Sequence, residues 1–83
     1  MIKTHGALSS SDDLDNKQIG VYTVNKKTRG TPINSPEDNN FVYLGIGSET
    51  SWGIQLVFTN TTMYFRYYTT SNISNWNKVV TTE

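Results

Sequence analysis

The chain contains no cysteine, which excludes a disulfide framework and any thiolate metal site. It has a single histidine, His5, too few for the imidazole-rich sites that zinc prefers. Charge is scarce as well. Charged residues make up 17% of the chain, and seven basic residues face seven acidic ones. That balance leaves no basic stripe to follow a phosphate backbone, which argues against a nucleic-acid partner. No apolar run approaches the roughly 20 residues of a membrane-spanning helix, so no membrane insertion is expected. The polar start, Met1 to Gly6, shows no secretory leader.

What remains is a chain of 83 residues in which Ser, Thr and Asn make up about a third, with aromatics at 12%. The length allows one domain. A domain of this size buries roughly 60–65% of its unfolded surface and is marginal alone. Disulfides, a metal or oligomerisation usually close the gap, and composition leaves oligomerisation. The aromatic content separates the chain from disordered polar tails and suits extracellular or virion proteins built from strands and polar loops.

Residues 1–11 are small and polar and read as a lead-in, with residues 12–83 as the β domain. Ser11-Asp12-Asp13-Leu14-Asp15 predicts one capped helical turn, with Ser11 or Asp13 as the cap and Leu14 buried. Five strands follow, at Ile19–Val24, Phe41–Ile46, Gly53–Thr59, Met63–Thr69 and Trp76–Val80, each rich in β-branched and aromatic residues. Asn25 to Asn40, punctuated by Gly30, Pro32 and Pro36, is long for a connection and reads as a functional loop. The expected fold is all-β: a small antiparallel meander of about five strands with one short N-terminal helical turn.

A two-residue turn at Asn60-Thr61 sets a register. It pairs Phe58 with Met63, Leu56 with Phe65, and Ile54 with Tyr67, all on one side. The other side carries Val57 opposite Tyr64 and Gln55 opposite Arg66. Hydrophobicity assigns the first side to the core. The second, aromatic and polar but poor in Lys and Glu, reads as a contact surface.

Asp13-Leu14, Gly20-Val21-Tyr22, Gln55-Leu56, Tyr64-Phe65-Arg66 and Trp76 occur in an order and spacing that resembles the pyocin-knob family of phage tail-fibre domains. Ile73 stands where that family has the first Trp of a closing Trp-x-x-Trp. The resemblance spans about residues 12–80. It implies a homotrimeric knob on a tail fibre, virion-borne and extracellular after host lysis. Its partners would be bacterial surface glycans and other tail or virion proteins. A purely structural virion role, in fibre trimerisation, docking or capsid decoration, is the alternative.

Enzymatic chemistry finds little support. Asp12, Asp13, Asp15, Glu37, Asp38, Glu49 and Glu83 fall in loops and turns, not on facing strands as a carboxylate pair for glycoside hydrolysis requires. His5, near the terminus, is poorly placed as an oriented base. Asp12 to Asn16 lacks the glycine and the ligand count of a calcium loop. No cofactor is expected. Trp52, Tyr64 and Tyr68 are the glycan-contact candidates, because aromatic faces stack on sugar C–H groups. Gln55, Arg66 and Val57 are the subunit-interface candidates, and Trp76 reads as a packing residue that closes the sheet.

Overall fold

The computed structural model describes residues 4–16, 19–48 and 50–79, with side chains from Gly6 onward. Glu49, Val80, Glu83 and the side chain of His5, all weighed above, fall outside the described residues. The fold is all-β, as expected, but has six strands instead of five: β1 (Thr4–Leu8), β2 (Gly20–Val24), β3 (Phe41–Gly47), β4 (Gly53–Phe58), β5 (Met63–Tyr68) and β6 (Asn77–Val79). They form one sheet in sequence order. From β2 to β6 the sheet is the expected antiparallel meander. β1, which the sequence reading placed in a lead-in, lies parallel to β2, so the sheet is mixed.

A parallel pair needs a connection that crosses one face of the sheet. Here it runs from Ser9 to Ile19 and contains a 3₁₀ turn, Leu14–Asn16, with Leu14 fully buried. Asp13 caps the turn by accepting from the Asp15 N–H at 2.9 Å. The long β2–β3 connection lies against this crossover. Ser10 N–H donates to Arg29 O, Ile33 N–H to Asp12 O, and Leu14 N–H to Ile33 O. The connection opens with one helical turn, α1 (Lys26–Arg29), capped by Asn25. Asn34 takes a left-handed conformation, φ 66°, which Asn tolerates better than most residues.

The crossover and the connection therefore cover the same face, and the core forms beneath them. Leu8, Leu14, Val24, Phe41, Tyr43 and Val57 are buried there, with Tyr22, Tyr64 and Trp76 packed against them. Gly47 (φ 127°) and Gly53 pair across the β3–β4 turn. A methyl at Gly53 would lie 2.5 Å from both the Ile46 carbonyl oxygen and the Tyr68 hydroxyl. The missing side chain lets the Tyr68 ring pack across β4, so that its hydroxyl reaches Ser48 O at 2.7 Å.

The β4–β5 register is the expected one: Phe58–Met63, Leu56–Phe65, Ile54–Tyr67, Val57–Tyr64 and Gln55–Arg66. The assignment of sides is reversed. Gln55, Val57 and Arg66 are 0%, 0% and 4% exposed, whereas Ile54, Phe58, Phe65 and Tyr67 range from 38% to 56%. Hydrophobicity favoured the wrong side because both sides are largely apolar. Coverage is decided by the connecting segments, and those segments carry backbone groups that need hydrogen bonds once buried. Gln55 supplies such a bond, to Leu14 O, and Arg66 holds Gln55 in place for it; Ile54 and Phe65 cannot.

Candidate functional site

Arg66 anchors the covered face. Its Nε–H donates to Gln55 Oε1 at 2.5 Å. Gln55 Nε2 donates to Leu14 O at 2.7 Å and to the Tyr43 hydroxyl at 2.9 Å. Arg66 Nη2 lies 2.9 Å from Asp15 Oδ1, an ionic contact without the alignment of a directed hydrogen bond. The guanidinium sits over the Trp76 ring, 4.4 Å from its centre, and the Trp76 indole N–H donates to Asn34 O at 2.7 Å. Burial lowers the Arg66 pKa and the Asp15 carboxylate opposes that shift; arginine remains charged throughout. Burial also raises the Tyr43 phenol above its ordinary range. The network clamps the crossover and the long connection onto the sheet.

Two of the three proposed glycan contacts are thus engaged within the subunit, and one of them is buried. Tyr68 is 1% exposed. The Tyr64 hydroxyl donates to Glu37 Oε1 at 2.6 Å, which ties the connection to β5. That bond lowers the Glu37 pKa, with help from Asn39, and raises that of Tyr64. The three interface candidates, Gln55, Val57 and Arg66, are likewise consumed inside the subunit. Trp52 is the exception. It directly precedes β4, two positions from Ile54, and is 67% exposed. Trp76 packs as expected and closes the covered face.

Two features stand free. The first is the uncovered face of the sheet. Val42, Leu44 and Ile46 on β3 lie beside Ile54, Leu56 and Phe58 on β4, which lie beside Met63, Phe65 and Tyr67 on β5. No charged residue interrupts this block. The second, which shares Val42 and Phe58 with the edge of that face, is an open groove of about 690 Å³ at the end of the sheet away from Trp52, where the connection meets the β4–β5 turn. Its lining includes Asn25, Asn39, Asn40 and Asn60 with Phe41, Val42 and Phe58, and no charged side chain. The sequence had flagged the connection as functional but not the approach of Phe58 and Asn60 to it, which depends on strand order.

Asp12, Asp13, Glu37 and Asp38 accept hydrogen bonds from within the chain. Asp13 is lowered first by its hydrogen bond from Asn34, and Asp38 first by that from Thr31; Asp38 also pairs with Lys26 at 3.1 Å. Among the described residues no cluster of three metal-ligating side chains occurs, and no helix is long and apolar enough to cross a membrane. No protein-family model, curated protein or solved structure matches the chain.

Proposed function

We propose that the chain is a homotrimeric attachment module of a bacteriophage tail fibre, assembled through the open face of its sheet. The observation that carries this reading is the face itself. Leu44, Ile46, Ile54, Leu56, Phe65 and Tyr67 adjoin one another there without a charge among them. Strands that are apolar on both sides belong to sheets covered on both sides, and the described residues cover this sheet on one. Copies of the chain suit the open side. Their net charge of zero sets up no long-range repulsion, and association supplies the burial that a small domain without cysteine needs. The number of copies and the phage setting rest on the resemblance to pyocin knobs. In a trimer, weak contacts with bacterial surface glycan multiply through avidity.

Sedimentation of the whole chain, with Phe65→Glu as the comparison, tests the assembly. The wild type should run as a trimer, and Phe65→Glu as a folded monomer with the same far-ultraviolet spectrum. A wild-type monomer at high concentration would overturn the reading, and a dimer would overturn its threefold form. The intramolecular bonds that engage the hydroxyls of Tyr64 and Tyr68 favour a second reading, a structural fibre component that never touches the host. Loss of trimer without loss of particle adsorption would select it.

A further inference from the structure

The four asparagines of the groove are not equivalent. Asn39 spends both ends of its carboxamide: Oδ1 accepts from the Asn40 N–H at 2.8 Å, and Nδ2 donates to Glu37 Oε2 at 3.0 Å. Asn25 and Asn40 each spend one. Asn25 Oδ1 accepts from the Lys27 N–H at 3.2 Å, and Asn40 Oδ1 from the Lys26 N–H at 2.8 Å. A backbone N–H can be met only by oxygen, so these bonds fix which end of each amide is which. Both Nδ2 groups are left as oriented donors, and neither makes a hydrogen bond among the described residues. Asn60, exposed at the tip of the β4–β5 turn, keeps both its donor and its acceptor. The backbone amides that open α1 are already occupied by the two asparagines, so they offer nothing to an anion.

Between these amides lies apolar surface from Val42 and Phe58, each more than a third exposed, with Phe41 buried at its edge. A few fixed polar groups around an apolar floor is the usual construction of a small-molecule site. Its chemistry selects the ligand. Uncharged donors match hydroxyl, ring and glycosidic oxygens, and an aromatic ring matches the C–H face of a pyranose. With no cation lining the groove, an acidic sugar would be desolvated without a partner. We propose that this groove binds a neutral carbohydrate, with the Nδ2 donors of Asn25 and Asn40 holding its oxygens and Phe58 holding its apolar face. The proposal deepens the attachment reading and rests on it only for the source of the sugar.

The test is a nitrogen-edited NMR titration of the full chain with four probes: maltohexaose, cellohexaose, chitohexaose and, as the acidic control, hexagalacturonate. At least one neutral hexamer should shift the side-chain amide resonances of Asn25 and Asn40, with nuclear Overhauser contacts to the Phe58 ring. The acidic control should leave them in place. Asn25→Asp and Asn40→Asp each retain an oxygen for the α1 N–H groups and remove the outward donor. Each should keep the folded spectrum and weaken binding roughly fivefold, the worth of one ordinary hydrogen bond. Three results would overturn the proposal: no neutral probe perturbing the groove, preference for hexagalacturonate, or full affinity in the double variant. Repeating the titration with Phe65→Glu separates this site from the assembly. Groove shifts that persist in a monomer leave the site standing whether or not the trimer does.

Discussion

At the scale of single residues, Arg66 and Gln55 carry more of the fold than any apolar pair on the open side. Gln55 Oε1 is fully buried, and the Arg66 Nε–H is its donor. Replacing Arg66 with Met keeps most of the volume over Trp76 but strands that oxygen. An unsatisfied buried acceptor costs about 2 kcal/mol, a large part of the stability of a domain this small. Urea unfolding should therefore show the Arg66→Met midpoint about 1–2 M lower, given the shallow denaturant slopes of small domains. Molecules that remain folded should associate as the wild type does, because the side chain points away from the open face. An unchanged midpoint would mean that the network is decorative. The residue-level reading of the sequence found this pair and its register, since alternation by two is independent of which side is wet. It could not find the side. Both sides of β4 and β5 are apolar enough to be buried, and the deciding partners, Leu14 O and Asp15, lie about forty and fifty residues earlier in the chain.

At the scale of elements, the covering layer and the sheet differ in how they are held. The sheet has its ladder; the connection has backbone bonds to the crossover through Arg29 and Ile33 and is further held by side-chain bonds, Asn34 to Asp13 at 2.8 Å, Tyr64 to Glu37 at 2.6 Å and, within the connection itself, Thr31 to Asp38 at 2.9 Å. Each of the three carboxyls has a lowered pKa in the folded chain. The unfolded chain therefore binds more protons in the acid range, and stability rises with pH there. What these groups contribute is complete above the ordinary carboxyl range, near pH 4–4.5, and is lost as pH falls through their lowered values. The raised pKa of Tyr64 acts at the other end. Its contribution is full below about pH 10 and declines as pH rises above that. Hydrogen exchange on lowering the pH from neutrality to about 3 should release the Leu14 and Ile33 amides, which join crossover to connection, before those of β3 and β4. Simultaneous release would show that the two layers unfold as one. The element scale is also where the sequence was least legible. β2 to β5 announce themselves by alternating branched and aromatic residues. β1, Thr-His-Gly-Ala-Leu, has no such pattern and becomes a strand only because the crossover returns β2 to its side.

At the scale of the whole molecule, the architecture is one sheet with one covering layer. Loops, cap and Arg66 network all gather on the same side, so the chain has no segment among its described residues to lay over Leu44, Leu56 and Phe65. In the proposed assembly, folding and association share that free energy. Anything that binds the folded state stabilises it by mass action, and here the binder is the chain itself. The thermal midpoint should climb with protein concentration in the wild type and stay fixed in Phe65→Glu, as differential scanning calorimetry would read it. The chemistry of the face adds a second dimension to the same measurement. With no charge in the contact, sodium chloride at moderate strength has no ion pair to screen, and the midpoint should scarcely respond. Sulfate, which strengthens apolar burial, should raise the wild-type midpoint more than that of Phe65→Glu. A midpoint that ignored concentration while responding to chloride would place the contact on the charged rim instead, and the open face would then need a different occupant.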